Sequence, residues 1–221
     1  MNQLMSRLAI ALVLAAGVHL AHPASAAEGQ RYAVTITNVT RGQVITPPVV
    51  VSHTEDFRLF TPGTPAIAEL VVLAEEGAVG PLLDVLATRP EVFEAQAGGD
   101  VLTPGASVTI EITAPGTYRH VTAVGMLATT NDAFFAVRGV EVPRRGERSV
   151  GAVAYDAGSE ANSELCAFIP GPPCGSAGAR DTAGAEGYVH IHAGIHGDGD
   201  LVPAQHDWRN PVAEITIRRL E

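Results

Sequence analysis

Short runs in which apolar and polar residues alternate limit the fold of this chain more than any other feature. Residues 107–113 read Ser-Val-Thr-Ile-Glu-Ile-Thr, and residues 32–37 alternate in the same way. Because successive side chains of a strand point to opposite faces, this period of two predicts half-buried β-strands. Further strands are predicted at residues 49–52, 120–127, 134–142, 150–155, 188–192 and 212–218.

The segments between these runs are rich in proline and glycine. Pro47-Pro48, Pro104-Gly105 and Pro115-Gly116 are turn signals that separate one strand from the next. Eight or nine short strands divided in this way predict an all-β fold, either a sandwich or a barrel, in a single domain. Residues 65–76 and 81–88 carry apolar residues at helical spacing instead, so we expect one or two short helices in a connection.

The N-terminal segment has the pattern of a secretory signal peptide. An apolar stretch over residues 8–18 is followed by Ala24-Ser25-Ala26, which has the small residues of a cleavage site. We therefore expect residues 1–26 to be removed near Ala26, and the mature chain to be secreted or periplasmic without a membrane span. An uncleaved N-terminal anchor is the alternative interpretation.

The charge of the chain excludes several classes of function. Fourteen arginines, with no lysine, stand against 24 acidic residues, which gives a formal net charge of −10. Nucleic-acid partners require a basic face, so we expect none. The absence of lysine excludes a lysine Schiff base and a phosphate-binding loop of the Walker type.

Cys166 and Cys174 are the two cysteines, and they lie eight residues apart in a segment rich in proline and glycine. In an exported protein an isolated pair at this spacing predicts a disulfide that closes a short loop. Free thiols and metal ligation are the alternatives.

Three carboxylates predict a cation site. Asp156 and Glu160 are separated by small residues that allow the loop to turn back, and Asp132 ends a polar segment before a predicted strand. Like charges about 4 Å apart repel by roughly 4 kcal/mol at an effective dielectric near 20. A calcium ion, which prefers oxygen ligands, would turn this repulsion into attraction. The alternative is that these acids are ordinary turn formers and caps.

A second candidate metal site consists of histidines. His190 and His192 alternate on a predicted strand and share one face, and His196 follows shortly after. Imidazoles two residues apart on a strand are able to chelate zinc or copper. The alternative is a polar patch in which these histidines pair with acids or with backbone carbonyls.

Four short motifs follow one another along the chain. They are Tyr32-Ala33-Val34-Thr35-Ile36-Thr37-Asn38, Asn131-Asp132-Ala133-Phe134, Tyr155-Asp156-Ala157-Gly158 and Asp207-Trp208-Arg209-Asn210-Pro211. In this order they resemble the spondin domain, a module of secreted animal matrix proteins that also occurs as free-standing bacterial proteins. The resemblance covers residues 31–220 and implies one antiparallel β-sandwich domain similar to C2 domains. It also implies a calcium ion held in loops at one end by Asp132, Asp156 and Glu160. Animal members have Trp at the position of Ala133 and Asp at the position of Glu160.

The carboxylates and the resemblance together lead us to expect a calcium-binding module without catalytic activity, and the resemblance implies a role in adhesion or surface recognition. The expected partner is an extracellular or cell-envelope protein or glycan. Motifs of common hydrolases, such as Gly-x-Ser-x-Gly and His-Glu-x-x-His, are absent from the sequence. The alternative function is a zinc or copper metalloprotein or metalloenzyme that uses His190, His192 and His196.

Overall fold

Nine β-strands make up most of the regular structure in residues 29–176 and 178–221, the part of the chain that this computed structural model describes. The strands are β1 (Arg31–Asn38), β2 (Val49–His53), β3 (Val92–Ala97), β4 (Ser107–Thr113), β5 (His120–Met126), β6 (Ala133–Glu141), β7 (Glu147–Asp156), β8 (His190–Ile191) and β9 (Ala213–Arg219). The predicted signal peptide, residues 1–26, lies outside the described residues.

All strand pairs are antiparallel, and the order is β3-β2-β5-β6-β7-β9-β1-β4, with β8 paired to β7. Strand β7 belongs to both halves of the sheet, because residues 147–152 pair with β9 and residues 153–156 pair with β6. The two ends of the sheet approach each other, and the Thr113 amide donates a hydrogen bond to Glu94 Oε2 (2.7 Å). The prediction of an all-β antiparallel sandwich is confirmed, with a nearly closed, barrel-like sheet.

The two predicted helices are present in the connection between β2 and β3, as α1 (Ala68–Glu76) and α2 (Gly80–Leu86). A single turn of helix, α3 (Pro203–His206), and a 3₁₀ turn at Cys166–Phe168 occur later. No helix in the described part of the chain is long and apolar enough to cross a membrane.

Alternation along β2 divides the interior into two cores. Val50 faces the core inside the curled sheet, whereas Val49 and Val51 face a second core beneath the helices, where Leu70 and Leu73 of α1 pack. The opposite faces of one strand therefore bury side chains in different cores, as period two requires. The helices cover the face formed by β2, β5 and β6.

The predicted disulfide between Cys166 and Cys174 is confirmed. Its loop packs against the connection between β5 and β6, since the Gly171 amide donates to the Ala128 carbonyl (2.8 Å) and Thr129 Oγ1 donates to the Pro172 carbonyl (2.8 Å). The cross-link therefore supports the segment that leads to Asp132.

Candidate metal centre

Asp132 and Asp156 lie at the same end of the sheet. Asp132 immediately precedes β6 and Asp156 is the last residue of β7, and the antiparallel register places Ala133 opposite Asp156. Both aspartates are fully buried. Two acidic side chains thus share a site from which water is largely excluded.

One carboxylate oxygen of Asp132 is occupied and the other has no partner. Oδ2 accepts hydrogen bonds from the Ser159 amide (2.8 Å), the Ser159 hydroxyl (3.1 Å) and the Glu160 amide (3.0 Å). Oδ1 is buried and has no hydrogen-bond partner among the described residues. A buried, unpaired carboxylate oxygen is costly, and a bound cation would satisfy it.

Asp156 organises the loop that follows it. Its Oδ1 accepts the Gly158 amide (2.6 Å), which closes a tight turn of the Asx type, and its Oδ2 accepts Asn162 Nδ2 (2.6 Å). The Gly187 amide then donates to the Gly158 carbonyl (2.8 Å), which brings the segment before β8 against this loop.

That segment supplies two further candidate ligands. Strand pairing places His190 opposite Asp156, and Glu186 lies four residues before His190. One ligand atom from each of Asp156, Glu186 and His190 lies within 4.8 Å of the other two. This group is a candidate metal site, and Glu186 was not predicted from the sequence.

Glu160 is buried, but its carboxylate is directed to a different set of neighbours. Its Oε1 accepts the Asp181 amide (2.7 Å), and the charges that act on its pKa are those of Glu75, Arg180 and Asp181. Arg180 also donates to Glu75 (2.6 Å). The role of Glu160 as a calcium ligand stays a prediction.

The pKa values of the acids reflect this burial. Burial, followed by the charge of Asp156, raises the pKa of Asp132 to about 7. Burial also raises the pKa of Asp156, and it raises the pKa of Glu160 to about 7. Because burial disfavours the charged form, these groups keep their protons to a higher pH than ordinary carboxyls unless a cation compensates them.

Hydrogen bonds distinguish the two histidines near Asp156. His190 Nδ1 lies 3.2 Å from the Tyr188 carbonyl, which only accepts, so in the neutral ring Nδ1 carries the proton and Nε2 has the lone pair. Nε2 lies 3.8 Å from Asp156 Oδ2. Metal-binding histidines commonly donate their second N–H to a carbonyl in this way.

His192 has the opposite tautomer. Its Nδ1 accepts the Gly194 amide (3.0 Å), so in the neutral ring Nε2 carries the proton. Nε2 is buried without a hydrogen-bond partner among the described residues and lies 3.9 Å from Asp156 Oδ2. Burial lowers the pKa of His192 to about 3, so the ring is neutral and presents an N–H rather than a lone pair to Asp156.

The third predicted histidine, His196, is exposed and is not part of the group around Asp156. Its backbone amide donates to Glu164 Oε1 (2.5 Å), and the amides of Gly197 and Asp198 donate to Oε2 (2.7 and 3.1 Å). The Glu164 carboxylate therefore fixes the turn at residues 196–198. Of the predicted histidines, His190 is the one that presents a lone pair to the site.

Acidic and histidine side chains titrate with opposite effects on stability, so we expect the free energy of unfolding of the metal-free protein to depend only weakly on pH. A carboxyl group whose pKa is higher in the folded than in the unfolded state stabilises the fold at a pH below the unfolded pKa. For Asp132 this contribution to stability is lost as the pH rises through about 7. His192 and His53, whose pKa values are lowered by burial to about 3 and about 4, contribute stability above about pH 6.5 that is lost on acidification. Between these limits the two trends oppose each other.

Between about pH 4 and pH 6.5 we therefore expect the free energy of unfolding to rise more steeply with pH in the Asp132→Asn variant than in the wild type. The difference between the two increases over this range should be on the order of 1 kcal/mol or more. Asparagine retains one oxygen for the amides of Ser159 and Glu160, so the loop is kept. Urea unfolding in chelator at several pH values measures the slopes. If the free energy of unfolding changes with pH in the same way in both proteins, the pKa of Asp132 is not raised.

No family model matches this chain, and no curated protein matches it. Fold and site together define an all-β protein with a disulfide and a candidate metal-binding group at one end of its sheet.

Proposed function

We propose that this chain is an exported calcium-binding recognition module without catalytic activity. The observation that carries the proposal is the buried pair Asp132 and Asp156, in which Asp132 Oδ1 has no partner among the described residues. Uncompensated carboxylates in a buried site cost several kcal/mol each, so a pair of them favours a divalent cation.

Calcium fits the donors around this pair. It takes six to eight oxygen ligands, including carboxylates and backbone carbonyls, and tolerates irregular geometry. Asp132 and Asp156 would hold the ion, and we assign Glu160 as a further ligand on the basis of the resemblance to spondin domains. The ion would stabilise the loop at residues 157–162 and its contact with the segment before β8.

The recognition role rests on where this loop lies. The disulfide is compatible with an extracellular or periplasmic location, and loops held on a rigid sheet are common binding surfaces. We propose an extracellular or cell-envelope protein or glycan as the partner, with calcium keeping the loops in the binding conformation.

Thermal melting tests the proposal. The protein is stripped with a chelator, and calcium, magnesium or zinc is then added back separately. Calcium is expected to raise the melting temperature in a saturable manner, and magnesium is expected to do so less, because it demands near-ideal octahedral geometry. Absence of any shift with calcium would overturn the proposal.

A second candidate function, a transition-metal protein, is favoured by one specific observation. Asp156, Glu186 and His190 bring one nitrogen and two oxygen ligands together, and in the neutral His190 ring the hydrogen bond of Nδ1 leaves Nε2 to bind a metal. Ligand atoms around a tetrahedral zinc ion lie about 3.4 Å apart, close to the 3.8 Å between His190 Nε2 and Asp156 Oδ2.

The His190→Gln variant separates the two candidates. It removes the nitrogen ligand and leaves Asp132 intact, so we expect any zinc-dependent rise in melting temperature to be lost and the calcium-dependent rise to remain. His196→Gln is the matched control, because His196 is exposed and lies outside the group. If zinc alone stabilises the protein, and His190→Gln abolishes that effect, the transition-metal function replaces the calcium function.

A further inference from the structure

A pocket of about 290 Å³ lies away from the metal centre, between the loop that follows β2 and the end of the β5–β6 pair. Arg58, His120 and Arg138 line it, together with the aromatic residues Phe57 and Phe60. The chain as a whole has a net charge of −10. Two arginines in one pocket therefore oppose the overall charge of the protein.

A β-bulge directs Arg138 toward this pocket. Val121 pairs with Val140 and Ala123 pairs with Val137, so Arg138 and Gly139 together stand opposite a single residue of β5. Gly139 has a positive φ of 63°, as a glycine in such a bulge commonly has. Bulges reorient side chains and are frequent beside binding sites.

A chain of buried hydrogen bonds fixes the bulge. The Gly139 amide donates to Thr122 Oγ1 (3.1 Å), and Thr122 Oγ1 lies 2.8 Å from His53 Nε2. His53 Nδ1 lies 2.7 Å from the Thr54 carbonyl, so Nδ1 donates and Nε2 accepts the Thr122 hydroxyl. His53 and Thr122 are both buried, so buried hydrogen bonds support the wall of the pocket that Thr122 and Gly139 form.

The two guanidinium groups are held without a carboxylate partner. Arg138 Cζ lies 5.2 Å from the centroid of the Phe60 ring and 5.5 Å from that of Tyr155, which is cation–π geometry. Arg58 Nη1 donates to the carbonyls of Glu55 (2.5 Å) and Phe57 (2.7 Å). Neither arginine forms an ion pair within the described residues.

The polar groups next to the pocket add no negative charge to it, apart from that of Glu55. Burial, together with the charges of His120 and Arg58, lowers the pKa of His53 to about 4. His120 Nδ1 is buried and has no hydrogen-bond partner among the described residues. Glu55, which is exposed, is the one acidic group among the residues that line the pocket.

We propose that this pocket binds a small oxyanion, a carboxylate or a sulfate group. The planar fork of arginine matches such groups through paired N–H···O bonds, and the stacking and the backbone contacts hold both forks in place before binding. The volume is at the lower end for ligand pockets, so it accommodates one acidic group rather than a large ligand. That group belongs either to a free small anion or to an acidic sugar.

Calorimetric titration at low ionic strength tests the proposal, with sodium sulfate, sodium acetate and sodium glucuronate as probes. Saturable binding of at least one probe is expected, and Arg138→Gln is expected to weaken it by about tenfold or more, as for loss of a hydrogen bond to a charged group. Similar binding of all three identifies a free anion as the ligand. Clearly tighter binding of glucuronate identifies an acidic sugar.

Two matched variants distinguish the pocket from a general effect of charge. Arg148→Gln removes the same charge from an exposed position on β7 outside the pocket, and binding should be unchanged. Glu55→Gln removes the negative charge at the pocket, so binding should become tighter. The proposal is overturned if the wild type binds none of the probes, or if Arg148→Gln weakens binding as much as Arg138→Gln.

Discussion

Replacing Gly158 by alanine is expected to lower the free energy of unfolding by about 3 kcal/mol. Gly158 has a φ of 69°, and a Cβ atom placed there would lie 2.6 Å from the Tyr188 backbone nitrogen. The left-handed conformation costs a residue with a Cβ about 1–2 kcal/mol, and the contact with a neighbouring backbone adds to that cost. Urea unfolding of the two proteins measures the difference.

Gly146→Ala is the matched control for this variant. Gly146 has a similar φ of 64°, but no atom lies within 4 Å of the position that a Cβ would occupy. The expected loss is therefore only the conformational cost of about 1–2 kcal/mol. Because Gly158 joins the Asp156 loop to the segment carrying Glu186 and His190, its replacement should also weaken cation binding, whereas that of Gly146 should not. Equal losses for both variants would contradict the close packing at Tyr188.

Calcium at about 100 times its dissociation constant is expected to raise the free energy of unfolding by roughly 2.7 kcal/mol. The reason is that the ion binds the folded chain, in which Asp132 and Asp156 are brought together, and not the unfolded one. Asp132→Asn removes one of the two charges and should abolish most of this gain. Urea unfolding with calcium and with chelator measures it for each protein.

Asp198→Asn is the control for the loss of one acidic charge. Asp198 is exposed, and its contact with the Glu164 carboxylate is made by its backbone amide. The calcium-dependent gain should therefore be the same as in the wild type. If Asp132→Asn retains the full gain as well, the assignment of Asp132 as a ligand is wrong.

Alternation along the chain was sufficient to locate most strands, because it records which side of the sheet each residue faces. Residues 107–113 were predicted as a strand, and β4 has these bounds. Strand β3 was missed, because none of the residues Val92–Ala97 is fully buried and its Glu and Ala residues have low β-propensity. A strand at the end of a sheet, with little burial, leaves a weak pattern.

The carboxylate pair was also predictable, because each aspartate lies at the end of a strand that the alternation located. Glu186 was not predictable, since it reaches the site through contacts between segments distant in sequence, namely the pairing of β7 with β8 and the hydrogen bond from Gly187 to Gly158. The tautomers of His190 and His192 depend on the carbonyl and the amide that each ring meets, which no sequence pattern encodes.

Calorimetric titration of calcium into the chelator-treated protein tests the central claim most directly. The wild type is expected to bind one calcium ion per chain with a saturable signal, and Asp132→Asn is expected to lose that signal while Asp198→Asn retains it. A wild type that shows no saturable calcium binding, or an Asp132→Asn variant that binds calcium as the wild type does, would contradict a calcium site at the buried aspartate pair.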